Sequence, residues 1–431
     1  MINEQEKRKK ATFHLWIMTF SNFISSFGSQ IYSFAVSFSI LQWTGSASSF
    51  AMNLLCGVMP RLISAPFAGA IVDRFSRKKI VILSHICSLL TILILLFFIS
   101  YTENTLPFLY VGTALFSLTA TFSDIGYNAS ITSLIDQERI QRAVSLNSSV
   151  DSIAAIASPI IGGLLYSLIT IPSFLIIYMV TTALVVYLQF SMNFTLYQSE
   201  HSTKSKEPLW NNMKAGISYV KKKPVIIAII FLSMVANFLG GAFGIGYSFV
   251  LINDLRLSSQ VFGIIEGCFA VGMLLTSIYL SMRSAIKFPL AVTRNGASLM
   301  GAILIIYALP VLLSLSTVSL FLYYFVLMLV LGSIQIFVNT PINVMLQTEV
   351  EEEYKGRVFS LIRSGVQTLV PIGTILFGVL FDLFPTYWIL GISGLFLIAT
   401  SLYFSRPSIM RLAHPERKRN RLYSSTVEKE V

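Results

Sequence analysis

Gly69-Ala70-Ile71-Val72-Asp73-Arg74-Phe75-Ser76-Arg77-Lys78-Lys79 gathers five charges between two long apolar runs, 47–72 and 80–101. Hydrocarbon tolerates such a cluster only at its water interface, so the stretch reads as a tight turn joining two membrane-crossing helices. Working outward, further runs long enough to cross a bilayer lie near 13–40, 107–134, 144–168, 172–192, 225–252, 258–282, 289–313, 318–345, 359–381 and 385–404. With the two flanking the turn they make twelve. The fold class expected is therefore an all-α integral membrane protein.

Composition agrees. Of 431 residues, 55% are hydrophobic and 12% charged, where soluble domains carry about a quarter charged. The net charge of +11 invites a nucleic-acid reading, and the placement of the charges removes it. All Lys and Arg except Arg61 and Arg256 fall on the side of the two termini or at its helix ends. By the positive-inside rule that side is the cytoplasm, so the basic excess reports topology in a cell-membrane protein. Cys56, Cys87 and Cys268 sit in apolar runs without metal-ligand spacing, and the four histidines are scattered. No metal site, disulfide or cofactor is expected. An ATP-driven pump or enzyme lacks support, since no Gly-x-x-x-x-Gly-Lys loop and no sizeable soluble segment occurs.

The chain also repeats itself at an offset of 215 residues. Asn22-Phe23 recurs as Asn237-Phe238, Gly57 as Gly272, Asn128 as Asn343, and Asp124 faces Asn339. Arg142-x-x-Ser145-Leu146-x-x-Ser149 recurs as Arg357-x-x-Ser360-Leu361-x-x-Ser364, and Gly163 as Gly378. A gap-free common offset over four pairs of spans indicates duplication. The expected organisation is a cytoplasmic N-terminus at 1–12, a six-helix half at 13–192, a cytoplasmic linker at 193–224, a second half at 225–404 and a basic tail at 405–431.

The spacing Gly69-x-x-x-Asp73-Arg74-x-x-Arg77-Lys78 resembles the signature loop of the major facilitator superfamily of secondary transporters, with Ser76 where that family usually has glycine. Within it, Ser25-Ser26-Phe27-Gly28, Trp43-Thr44-Gly45-Ser46-Ala47, Pro66-Phe67-Ala68-Gly69 and Lys355-Gly356-Arg357-Val358-Phe359-Ser360 resemble the macrolide-efflux branch of drug:proton antiporters. The resemblance implies two six-helix halves and export of a small, amphiphilic molecule by alternating access, with a proton as coupling ion. It also implies a gating role for the signature turn, with Asp73 meeting the start of the eleventh span. Export of a metabolite or siderophore, import, and a non-transporting membrane sensor remain open alternatives. The partners expected are the substrate, the proton and the bilayer, around a monomer.

Four ionisable residues stand inside spans: Arg61, Asp124, Asp151 and Glu266. Intramembrane charges are costly and so become functional candidates, here for proton coupling, with Asp124 first. Asp124 and Asn128 are four apart and share a helix face, as do Asn339 and Asn343. With Asn22 and Asn237 they form the expected polar lining of the cavity. Pro159 in Ser158-Pro159-x-x-Gly162-Gly163 should kink the fifth span, and the two glycines should admit a close neighbour. The chain's 33 phenylalanines are candidates for a drug-lined cavity or for lipid-facing packing.

Overall fold

A computed structural model describes residues 4–102, 104–197, 218–283, 286–313 and 315–413, without the side chains of Asp73 and of most of 352–367. All regular structure among them is helical. A chain in hydrocarbon has no water to bond its amides, and the helix satisfies them within the segment.

The helices are α1 (Glu4–Thr44), α2 (Ala47–Arg74), α3 (Arg77–Tyr101), α4 (Leu106–Leu134), α5 (Ile140–Tyr166) and α6 (Ile171–Phe190). There follow α7 (Pro224–Phe249), α8 (Ser259–Ser281), α9 (Pro289–Tyr307), α10 (Thr317–Glu349), α11 (Glu352–Leu383), α12 (Thr386–Phe404) and a short α13 (Pro407–Ala413). Eleven described helices are long and apolar enough to span. The expected span at 359–381 lies within α11, whose described apolar stretch is Thr368–Leu383.

The charged turn is shorter than its sequence suggests. Asp73 and Arg74 still belong to α2, Arg77 already opens α3, and only Phe75 and Ser76 lie between. The other tight connection explains Trp43-Thr44-Gly45-Ser46. Gly45 adopts φ +59°, a left-handed conformation that costs a side-chain-bearing residue about 1–2 kcal/mol. Ser46 then caps α2, its hydroxyl accepting from the Ser49 amide at 3.2 Å, a contact worth about 1 kcal/mol.

The chain divides into two compact units, Met1–Lys204 with Leu251–Ala270, and Ser205–Val250 with Val271–Val431. In the first, α1 packs on α5 and α6, α2 on α4, and α3 on α4 and α6. In the second, α7 packs on α11 and α12, and α9 on α10 and α12. The partners of α1 and α3 thus recur six helices on at α7 and α9, as expected of a duplicated six-helix bundle.

Candidate functional site

Within the first unit the helices enclose a cavity of about 580 Å³. Its position follows from two local features of α2. Pro60 lies inside the helix and lacks the N–H that would bond the Cys56 carbonyl one turn back. The hydroxyl of Ser117 on α4 donates to the neighbouring Gly57 carbonyl, tying α4 to α2 at that turn. Arg61 follows directly and extends into the cavity.

There Arg61 Nη2 donates to Asp124 Oδ2 at 2.7 Å, and the two side chains are 61% and 52% exposed. Both side chains face the cavity, so the pair can part without repacking the helices. Asp124 and Asn128 line the cavity together. Among the described residues, however, the hydrogen-bond partner of Asp124 is Arg61, not Asn128.

Asp151 sits on α5, where it accepts from Asn22 Nδ2 at 3.3 Å and from Ser26 Oγ at 3.0 Å, both on α1. Among the described residues its carboxylate thus meets neutral donors, whereas that of Asp124 meets a cation. The two acids are close enough to interact electrostatically. Asp151, one of the four ionisable residues expected inside spans, is thus joined to Asn22, one of the expected lining residues. The spacing of Asn22 and Ser26, four apart on one face of α1, carried a signal for that cluster.

The remaining expected residues fall elsewhere. Asn237 and Asn343 donate to carbonyls of their own helices, Ser233 and Asn339, each at 2.9 Å. Glu266 on α8 is half-buried and does not line this cavity. Two groups went unnoticed in the sequence. Asn53 accepts from Thr113 at 2.9 Å and donates to Ser37 at 3.2 Å, tying α1, α2 and α4. His85 lines the cavity from α3, its Nε2 2.9 Å from Ser123 Oγ and 3.3 Å from Gln189 Nε2. Lone hydroxyls and amides carry no spacing signal, so only the packing of α3 on α4 and α6 brings these together.

The signature turn serves the same bundle. Arg77 donates to the Ala129 carbonyl on α4, and Lys78 Nζ to the carbonyls of Phe190 and Met192, both at 2.8 Å. Lys78 therefore places a cation at the C-terminal end of α6, where the helix dipole is negative. Arg74 is exposed, and a Cβ at Gly69 would meet nothing within 4 Å. The side chain of Asp73, and with it the expected gating contact, lies outside the described residues.

The glycines of α5 face two ways. A Cβ at Gly162 would come within 3.0 Å of the Phe34 ring on α1, whereas one at Gly163 would run into the Ser259 carbonyl of α8. A Cβ at Gly263 would in turn strike the carbonyl of Pro159. The backbones of α5 and α8 approach so closely that only glycine fits, and Ser259 Oγ donates across to Gly163 O at 3.0 Å.

The sequence profile of the Major Facilitator Superfamily matches residues 18–370. The chain belongs to that superfamily. As a member it is a multi-pass membrane transporter. It is similar to an uncharacterized MFS-type transporter, YfiS, of Bacillus subtilis, with 28% identity over 89% of this chain and 88% of that protein. It is also similar to macrolide efflux protein A of Streptococcus pyogenes, with 25% identity over 88% of this chain and 92% of that protein. Among solved structures, a POT family transporter in complex with a thioalcohol-conjugated peptide superposes with a TM-score of 0.68 at 14% identity, covering 92% of this chain and 96% of that one. A bacterial homologue of the iron transporter ferroportin does so with 0.65 at 16%, covering 91% and 98%. At those identities the likeness concerns the fold alone.

Proposed function

We propose that this facilitator exports a small molecule from the cytoplasm by alternating access, in exchange for protons, as a monomer with both termini cytoplasmic. The observation that carries the reading is the cavity in which the Arg61–Asp124 pair stands beside a second carboxylate, Asp151, whose hydrogen-bond partners among the described residues are neutral. The likeness to macrolide efflux protein A supports export and an amphiphilic substrate.

The arrangement supplies a coupling scheme. A proton taken up by Asp124 removes its charge and leaves Arg61 uncompensated, which makes the cavity more positive. Loss of that proton restores the pair and returns the cavity to net negative charge. A ligand whose charge is sensitive to that change is driven out by one state and admitted by the other, so proton entry and substrate exit are linked.

The test is export of erythromycin, as a macrolide probe, from an efflux-deficient bacterial host expressing the chain. Accumulation should fall relative to the empty host, and a protonophore should restore it. Efflux that survives full collapse of the proton gradient overturns the coupling, and accumulation above that of the empty host overturns the direction.

A further inference from the structure

The wall of the cavity is unlike that of a site for lipophilic drugs. Of the 33 phenylalanines in the chain, Phe116 alone lines it among the described residues. Hydroxyls and amides dominate instead, among them Ser29, Gln30, Ser33, Thr119, Asn128 and Asn147. Two lining polar atoms are shielded from water and have no hydrogen-bond partner among the described residues. They are the Tyr32 hydroxyl, in a side chain only 5% exposed, and Asn147 Oδ1. Native proteins rarely leave such atoms unpaired, and at a ligand site they mark where ligand groups bond. One can donate and the other only accepts, which together suits a hydroxyl-bearing ligand.

Charge narrows the class further. Arg61 and Asp124 neutralise one another at 2.7 Å, so among the described residues that line the cavity Asp151 holds the unmatched charge. Asn22 and Ser26 bond only its Oδ1. A carboxylate accepts at both oxygens, and a protonated amine meets the remaining capacity with charge-assisted hydrogen bonds.

We propose that the ligand of this cavity is a hydroxyl-rich molecule bearing a protonated amine, with the amine seated on Asp151. The proposal rests on the reading above that this cavity is the substrate site. It excludes a lipophilic cation without hydroxyls as the preferred ligand, because such a cation would bury the hydroxyl wall without bonding it.

The test compares four probes by calorimetric titration of the purified full chain in lipid nanodiscs, at a pH where the amine is charged. Lactosamine carries the amine and the hydroxyls, N-acetyllactosamine and lactose carry the hydroxyls without the charge, and tetraphenylphosphonium carries charge without hydroxyls. Lactosamine should bind tighter than each of the others by about tenfold or more, as expected for a hydrogen bond to a charged group. Asp151→Asn should erase its advantage over N-acetyllactosamine, with an unchanged thermal unfolding profile reporting that the variant is folded. Asn22→Ala, which removes a donor but keeps the charge, should retain the advantage. Equal binding of lactosamine and N-acetyllactosamine, preference for tetraphenylphosphonium, silence from all four probes, or an amine preference that survives Asp151→Asn would each overturn the proposal. Titration needs no gradient, so this result is independent of the protonophore test. Amine preference with gradient-independent efflux would sink only the coupling.

Discussion

At the scale of single residues the two carboxylates of the cavity differ in what faces them. Asp124 is bound to Arg61 in a pair that faces the cavity, and Asn in its place keeps the shape and an oxygen acceptor for the arginine. Asp124→Asn is expected to fold normally, lose efflux against a gradient and keep downhill exchange. Thermal unfolding and transport assays on the same preparation measure both. Concentrative efflux at parental rate would make Asp124 structural. Arg61→Gln leaves the Asp124 charge uncompensated in the cavity. If the pair is the coupling element, joining it to Asp124→Asn should add nothing to the transport defect of either single variant, since residues that act as a unit are non-additive.

At the scale of elements the signature turn and the glycine crossing make opposite predictions from neighbouring sequence signals. Lys78 bonds two carbonyls at the end of α6, so Lys78→Met should destabilise the protein by about 1–3 kcal/mol. Arg74 is exposed, and Arg74→Met should stay within about 0.5 kcal/mol. Melting of detergent-solubilised protein separates the two. Gly163→Val cannot be accommodated without parting α5 from α8, because the obstacle is the Ser259 backbone carbonyl rather than a movable side chain. Gly69→Ala adds a methyl to open space and should leave the melting temperature unchanged. Equal melting of the Gly163 and Gly69 variants would refute the close crossing.

At the scale of the whole molecule the prediction is topological. With Cys56, Cys87 and Cys268 replaced, cysteines introduced at 253–257 should react with an impermeant maleimide in intact cells. Those at 199–206, in the expected linker, should react only after permeabilisation. The argument is the asymmetry of Lys and Arg, of which Arg256 alone falls in an expected outer loop. Labelling of 199–206 from outside would invert the orientation.

How much of this was legible in the chain depends on the range of the interaction involved. Span existence came from apolar length, which hydrocarbon imposes locally, and eleven runs became helices close to their expected bounds. The remaining run, 359–381, falls inside the longer helix α11, Glu352–Leu383. The duplication was readable from its constant offset, and the recurring helix partners bear it out. The candidate site was legible only as residue types. Asp124, Arg61 and Asp151 stood out because charge inside a span is costly wherever it lies. Which acid takes the arginine and which takes Asn22 and Ser26 is set by contacts 63, 129 and 125 residues apart. Likewise nothing in Gly162-Gly163 says that one glycine serves Phe34 and the other Ser259. Sequence alone determined what the bilayer demands of each segment, because that demand acts on each helix separately. The tertiary structure decided which polar groups meet, because partners are chosen by helix packing and not by spacing along the chain.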